Sequence, residues 1–206
     1  VDPLGPENKL VFAAGPITGI PLPGSGRHCV GAKSPLTGGI AKSEVGEFWG
    51  AELKSTGFDA VIIEGKAAGP VYLHIHDGEA EIKGASHIWG KTTKEAIDAI
   101  RDSENDKKTR VALIGPGGEN CVRFACIMHG LEDAAGRGGL GAVMGAKNLK
   151  AVSVRGTLKP TVANPEIVKA LRKWMVDNLD KVSAFTNFGT GAAMPFYEEI
   201  GNLPIR

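Results

Sequence analysis

The sequence has few cysteines, little net charge and no long apolar run, and each absence excludes a class of protein. Its three cysteines, Cys29, Cys121 and Cys126, are too few for a disulfide framework and form no CxxC pair. Neither a zinc site nor an iron–sulfur site is therefore predicted, and a reducing, cytoplasmic compartment is expected. A net charge of +1 gives no reason to expect nucleic acid as a partner. No stretch reaches the roughly 18 apolar residues of a membrane span, so no membrane partner is expected.

The two ends and a change in composition predict how the chain is organised. The first residues carry neither a methionine nor an apolar leader, and we expect a fragment of a longer protein. Composition changes after Lys159-Pro160, where "NPEIVKALRKWMVDNLDKV" predicts an amphipathic helix capped by Asn164 with Pro165 at its first position. We therefore predict one domain over residues 1–159 and the start of a helical region over 160–206.

Local signals predict an α+β domain. Apolar stretches ending at glycine indicate strands in "KLVFAAGPITG", "GFDAVIIEGKA" and "TRVALIGPGG", and a further strand is predicted in "LKAVSVRGT". The segment from Pro70 to Ala85 alternates and turns at Asp77-Gly78, which is typical of a β-hairpin. Thr92 with a glutamate three residues later predicts the start of a helix.

Glycine, unlike cysteine, is abundant: the chain has 29 glycines. Five of them stand in "AAGRGGLGAVMGAKNLKAV", from Ala134 to Val152. Bare backbone beside an arginine is typical of an anion-binding loop, because exposed N–H groups bind phosphate well. The alternative is an ordinary tight surface turn.

A weak internal repeat accompanies the glycines. Gly15-Pro16 and Gly115-Pro116 lie 100 positions apart, and each follows an apolar strand and precedes a glycine loop. The repeat predicts two αβ halves related by a pseudo-twofold axis, with their glycine loops facing each other. Such halves would seat a ligand that itself has two similar ends. The alternative is coincidence among glycine-rich loops.

Several motifs in order resemble the N-terminal domain of the aldehyde ferredoxin oxidoreductase family. The likeness runs from Val1 to about Thr157, and the remainder, including "FGTGAAMPFYEEIGNLPIR", resembles the start of that family's helical second domain. The motifs are "GPITGIPLPGSGR", "AKSPLTGGI", "GAELKSTGFDAVIIEGKA", "ASHIWGK", "IGPGGENCVRFACIM" and "AAGRGGLGAVMGAKNLKAV".

The resemblance implies a tungsten or molybdenum atom held by two pterins, magnesium bridging the pterin phosphates, and a 4Fe-4S cluster bound outside this chain. It implies aldehyde oxidation to carboxylic acids with ferredoxin as electron acceptor, in a full-length protein expected to be a homo-oligomer. One alternative is a family member with a reductive task, such as reduction of an aromatic thioester. Another is a non-catalytic phosphate- or nucleotide-binding module. The glycine loop disfavours that module, because it leads to a strand instead of opening a helix.

The resemblance also implies a set of cofactor-binding residues, and none of them is catalytic. Glu44 and Ala134 are expected to bind magnesium through their backbone carbonyls. Glu44 stands where many members carry asparagine, and Asp133 where an arginine commonly precedes "AAGRGG", so both positions depart from the family pattern. The set is Arg27, Glu44, Gly46, Asp133, Ala134, Gly136 and Arg137.

Other polar residues have weaker expectations. His74 and His76 share one face of a predicted strand, and we favour a solvated face over a metal site because no third ligand is visible. Cys121 and Cys126 are predicted on a buried helix. Lys147 and Lys150 either supply positive potential to phosphates or are plain surface residues.

Overall fold

The structure, a computed structural model, describes residues 1–182 and 187–203. The last three residues of "GNLPIR" lie outside the described residues. The chain divides into two compact units: Val1–Ile20 with Gly24–Val162, and Pro21–Pro23 with Ala163–Arg206. The described part of the second unit contains helix α5 (Pro165–Asp177), helix α6 (Met194–Glu199) and two short 3₁₀ turns. As predicted, Asn164 caps α5, and its side chain accepts a hydrogen bond from the Ile167 N–H.

The first unit contains two sheets. The first sheet is antiparallel, with strand order β3-β2-β1-β4. Its elements are β1 (Leu10–Ala14), β2 (His28–Lys33), β3 (Ile40–Val45), α1 (Trp49–Ser55) and β4 (Ala60–Ile63).

The second sheet has strand order β6-β5-β10-β7-β8-β9, and only its β5–β10 pair is parallel. The predicted hairpin turns at Asp77-Gly78, and the predicted capping box joins Thr92 and Glu95 at the start of α2. Its elements are β5 (Val71–His76), β6 (Glu79–Gly84), α2 (Thr93–Ser103), β7 (Arg110–Leu113), α3 (Pro116–Glu119), β8 (Ile127–His129), β9 (Asp133–Ala135), α4 (Leu140–Ala146) and β10 (Leu149–Arg155).

The order strand–strand–strand–helix–strand occurs in residues 10–63 (the first repeat) and again in residues 110–155 (the second repeat), where the short helix α3 is added between the first two strands. In each repeat the sheet order is third, second, first, fourth strand. The ladder registers agree as well: Ala13 pairs Cys29, which pairs Glu44, while Leu113 pairs Met128, which pairs Ala134. Glu44 and Ala134 therefore hold equivalent positions in the two repeats. A twofold axis relating the repeats stays a prediction.

One apolar core is shared by the two repeats. Phe12, Trp49 and Val152 are fully buried in it. The Trp49 indole N–H donates to the Val152 carbonyl at 2.9 Å, which joins α1 to the central strand β10. A second cluster packs α2 against the other face of the second sheet. Burial of these faces is the main source of stability expected for such a domain.

Two local predictions are wrong. The glycine loop does open a helix, α4, before the chain enters β10. All seven residues of α4 are buried, so it shows no polar face and no amphipathic period in the sequence. Cys121 and Cys126 are not helical, because α3 ends at Glu119 and the chain then turns, with Cys121 at φ 54°.

Candidate functional site

The predicted binding residues come together where β3, the edge of the first sheet, meets β9, the edge of the second. The Arg137 N–H donates to the Ser43 hydroxyl at 3.3 Å, and the Ser34 hydroxyl donates to the Gly138 carbonyl at 2.7 Å. A Cβ atom at Gly46 would lie 3.4 Å from an Asp133 carboxylate oxygen. The two edge strands and the glycine loop therefore form one surface, with Glu44 and Gly46 on one side. The other side of this surface is formed by Asp133, Ala134, Gly136 and Arg137.

Arg27, which directly precedes β2, borders this surface. It is exposed and lines a cavity of about 330 Å³ together with His28, Cys29 and Glu44. The Lys42 ammonium, 2.7 Å from Glu44, holds the pKa of that carboxyl below its ordinary value, and the Arg27 guanidinium has a smaller effect in the same direction. Glu44 is therefore ionised but flanked by two cations. That arrangement reduces its repulsion of a bound anion.

Asp133 lies in a second cavity of about 310 Å³ beside the glycine loop. Arg110 also lines this cavity, where it pairs with Glu47 at 3.0 Å and lies 4.8 Å over the ring of Phe48. Arg101 adds a second guanidinium to the lining. Asp133, which departs from the family pattern, is thus accompanied by two arginines that the sequence pattern did not indicate.

A buried histidine pair lies between the two cavities. His28 lines the first and His129 the second, and their Nε2 atoms are 2.9 Å apart. Burial lowers the pKa of His28 to about 4 and that of His129 to about 3, and the nearby His28 adds to the effect on His129. Both rings are therefore neutral at pH 7, one donating to the other. Among the described residues neither Nδ1 atom has a hydrogen-bond partner. No sequence signal indicated this pair, since its members are 101 positions apart.

Most glycines of the loop are explained by close packing within the protein. A Cβ atom would lie 1.9 Å from the Arg123 carbonyl oxygen at Gly139, and 1.9 Å from the Gly118 carbonyl oxygen at Gly145. Gly138 and Gly141 are equally closely packed, at 2.3 Å and 2.4 Å from their neighbours. Only Gly136, of the five, has nothing within 4 Å of its Cβ position. Of the five glycines, Gly136, which is exposed beside Arg137, is the one whose lack of a side chain leaves open space for a ligand.

The plain surface role considered for Lys147 and Lys150 is wrong, and their supply of positive potential to phosphates stays a prediction. Lys147 is buried and its ammonium donates to the Pro6 and Gly65 carbonyls, each at 3.1 Å, while burial lowers its pKa. Lys150 is fully buried, pairs with Glu119 and donates to the Lys91 carbonyl. Lys147 follows the buried helix α4, and Lys150 lies in the buried central strand β10, so both connect elements inside the protein.

The solvated face expected for the strand histidines is wrong for His74. This ring is buried, with Nδ1 2.9 Å from the Ser153 hydroxyl and Nε2 3.4 Å from Glu104. His76 is half-exposed at the tip of the hairpin. Burial is the largest influence on the pKa of His74 and lowers it.

The residues present fit an anionic group with phosphate character. Arg27 and Arg137 are exposed guanidinium groups on the two sides of the surface, and unobstructed main chain lies at Gly136. Guanidinium forks bind phosphate in bidentate geometry. The hypothesis that both arginines face one cavity stays a prediction. In the described part of the chain, no helix combines the length and apolar character needed to cross a membrane.

Residues 1–156 match the family described as "Aldehyde ferredoxin oxidoreductase, N-terminal domain". The chain is 48% identical over 210 residues to the "Tungsten-containing aldehyde ferredoxin oxidoreductase" of Pyrococcus abyssi, covering 100% of this chain and 35% of that protein. It is 44% identical to the "Aliphatic sulfonate oxidoreductase, WOR-like subunit" of Pyrococcus furiosus, covering 93% of this chain and 32% of that protein.

A solved structure is also similar: "Active site complex BamBC of Benzoyl Coenzyme A reductase in complex with 1,5 Dienoyl-CoA". The identity is 44% and the TM-score 0.85, covering 88% of this chain and 28% of that chain. The present chain thus spans about a third of the length of these relatives.

Proposed function

Because the chain belongs to the aldehyde ferredoxin oxidoreductase family, we propose that it forms the cofactor-binding part of a tungsten or molybdenum bis-pterin oxidoreductase. The full-length protein would oxidise aldehydes to carboxylic acids, pass the electrons to ferredoxin and assemble as a homo-oligomer. The named activity of the Pyrococcus abyssi relative supports this assignment. The free cysteines of the described chain suit a cytoplasmic location.

The equivalence of Glu44 and Ala134 carries the proposal. They hold the same ladder position in two repeats whose edge strands, β3 and β9, lie side by side. A cofactor with two pterin phosphates presents two like ends, so a repeated surface can bind both with the same kind of contact. In this assignment the backbone carbonyls of Glu44 and Ala134 bind the magnesium that bridges the phosphates.

The remaining residues of the surface would orient the cofactor. Arg27 and Arg137 would donate to phosphate or pterin acceptors, and the open main chain at Gly136 would let the pterin approach closely. Gly46 leaves room beside Asp133. When bound, the metal supplies the two-electron chemistry, and this chain supplies binding and charge. The 4Fe-4S cluster would be bound by cysteines elsewhere in the full-length protein, since this chain has no CxxC pair.

A second candidate function is reduction of an aromatic thioester. The similarity to the benzoyl coenzyme A reductase complex favours it, since 44% identity is close to the 48% shared with the aldehyde oxidoreductase. The residues of this chain that contact the cofactor would serve either reaction. The hypothesis of a non-catalytic phosphate-binding module is disfavoured by the family match.

An anaerobic assay of the full-length protein separates these functions. The proposal expects ferredoxin to be reduced when an aldehyde is added, with the carboxylic acid formed in equal amount. Reduction of benzoyl coenzyme A without aldehyde oxidation would establish the second function. Tungsten- or molybdenum-loaded protein that performs neither reaction would overturn both.

A further inference from the structure

The tip of the β5–β6 hairpin brings three metal-ligating side chains together. The His76 Nε2 atom is 4.0 Å from Glu79 Oε2 and 3.9 Å from Glu81 Oε1, and the three ligand atoms all lie within 4.8 Å of one another. We propose that His76, Glu79 and Glu81 bind a divalent transition-metal ion of the zinc class. The hairpin belongs to neither repeat, because it lies between them in the sequence. The proposed metal site does not depend on the proposed function.

The ladder fixes the spacing of the ligands. His76 is paired directly with Glu79, and His74 with Glu81, across the antiparallel strands. Residues directly opposite share a face, and side chains repeat on that face every second residue. His76, Glu79 and Glu81 therefore project from the same side of the hairpin, and the turn at Asp77-Gly78 holds them in register.

The separations suit a bridging ion better than direct contact. At 3.9 Å and 4.0 Å the imidazole nitrogen is too far from either carboxylate for a hydrogen bond. Zinc bonds to nitrogen and oxygen measure roughly 2.0–2.2 Å, which places neighbouring ligand atoms about 3.3 Å apart. To close around one ion, the imidazole nitrogen and each carboxylate oxygen would approach by about 0.6–0.7 Å, and the two carboxylate oxygens, which lie within 4.8 Å of each other, by up to about 1.5 Å.

Two of the ligands are oriented by partly or fully buried neighbours. Lys83 lies 3.2 Å from Glu81 Oε2 and 2.8 Å from Glu104, so Glu81 keeps its other oxygen toward His76. The carboxylate of Glu104 is only 8% exposed and is also bonded by the Tyr72 hydroxyl. The His76 ring lies 5.1 Å from the ring of His74, which is held by Ser153. Such outer partners are typical of metal sites.

The ligand types select the class of ion. One imidazole and two carboxylates suit zinc and its transition-metal neighbours, whereas magnesium and calcium prefer oxygen ligands alone. Three protein ligands leave a further position for water, as in open zinc sites. The sequence shows His74 and His76 as the candidate pair, but the structure replaces His74 with two glutamates of the next strand.

Titration of the metal-free 206-residue chain with zinc chloride, followed by calorimetry, tests the proposal. We expect one zinc ion per chain, and magnesium chloride at the same concentration should not compete. His76→Gln should raise the Kd at least tenfold, and Glu79→Gln and Glu81→Gln should each raise it by a similar factor. The matched controls His87→Gln and Glu64→Gln change an exposed histidine and an exposed glutamate elsewhere, and should leave the Kd unchanged.

Thermal unfolding of the same proteins excludes a folding artefact. Without zinc, the His76→Gln protein should melt at the wild-type temperature, because its side chain is partly exposed. Zinc should raise the Tm of the wild-type and control proteins but not that of His76→Gln. Absence of stoichiometric zinc binding, or an unchanged Kd in His76→Gln, would overturn the proposal.

Discussion

The imidazoles of His28 and His129 meet at 2.9 Å between their Nε2 atoms, and this contact joins strand β2 of the first repeat to strand β8 of the second. Both rings are almost fully buried beside Trp49, whose ring centroid lies 4.9 Å from that of His28 and 5.7 Å from that of His129. One neutral imidazole must donate to the other, because two imidazolium ions at this distance would repel. The contact between the repeats is therefore incompatible with protonation of both histidines, and burial disfavours protonation of either one.

We predict that this pair makes the fold sensitive to acid. Burial lowers the pKa of His28 to about 4 and that of His129 to about 3, from about 6.5 in the unfolded chain. Between these values the unfolded chain binds more protons than the folded chain. The free energy of unfolding is therefore undiminished above about pH 6.5. It falls as the pH drops toward 4 and 3, by about 1.4 kcal/mol per pH unit for each histidine.

Urea unfolding measured from pH 7 to pH 5 checks this prediction. The double variant His28→Leu with His129→Leu replaces both partners by apolar groups, and we expect a clearly shallower loss of stability with acid. His87→Gln, at an exposed histidine, should keep the wild-type slope. Equal slopes in the double variant and the wild type would show that the pair does not cause the acid sensitivity.

Gly136 in the glycine loop and Gly145 in the helix α4 that follows it should differ strongly in their tolerance of alanine. Gly145→Ala places a Cβ atom 1.9 Å from the Gly118 carbonyl oxygen, and we expect a loss of about 3 kcal/mol or more in the free energy of unfolding. Gly136→Ala, the matched control, meets nothing within 4 Å and should change stability by less than about 1 kcal/mol. Urea denaturation measures both. A tolerated Gly145→Ala would mean that α3 and α4 are not packed as described.

The buried pair of Lys150 and Glu119 should matter far more than a surface pair. Lys150→Met leaves a carboxylate that is only 4% exposed without its cation, with the Gly90 N–H as its remaining donor, which should cost about 3–5 kcal/mol in the free energy of unfolding. Lys94→Met removes an exposed partner of Asp98 and should cost less than about 1 kcal/mol. Adding Glu119→Gln to Lys150→Met should recover part of the loss. Equal effects of the two lysine variants would contradict the burial of Lys150.

The repeated topology predicts a twofold relation that an experimental structure can test. Superposition of residues 9–66 on residues 111–156 should bring Ala13 onto Leu113 and Glu44 onto Ala134, because the ladder registers already correspond. The rotation should be close to 180°. A superposition that aligns the strands only with a different register would exclude the twofold.

Local features of the fold could be predicted because neighbouring residues determine them. Asp77-Gly78 predicts the hairpin, Thr92 and Glu95 predict a capped helix, and Asn164 caps the helix that begins at Pro165. Each signal acts within a few residues, where backbone geometry and capping hydrogen bonds are decisive.

The errors concern residues whose surroundings come from distant parts of the chain. Helix α4 is buried on all sides, so its sequence carries no amphipathic pattern. From the sequence alone Lys150 could be taken for a surface residue, but in the fold it is buried and pairs with Glu119 of α3. His28 contacts His129, which is 101 positions away in the sequence. For the candidate site, the binding residues themselves were predicted from the family resemblance of the sequence. The side-by-side arrangement of β3 and β9, and the packing that explains four of the five glycines, required the structure.

The central claim is that the surface formed by β3, β9 and the glycine loop binds the metal pterin through Arg27 and Arg137. The most direct test is the tungsten, molybdenum and pterin content of the full-length protein carrying Arg27→Ala or Arg137→Ala. The control is Arg172→Ala, at an exposed arginine of α5.

Because charge-assisted hydrogen bonds contribute roughly 1.5–3 kcal/mol each, we expect either variant to lose at least tenfold in cofactor affinity while keeping its circular dichroism spectrum. Lysine at either position should restore occupancy only in part, since it lacks the guanidinium fork. Full metal and pterin occupancy in both alanine variants would contradict the claim.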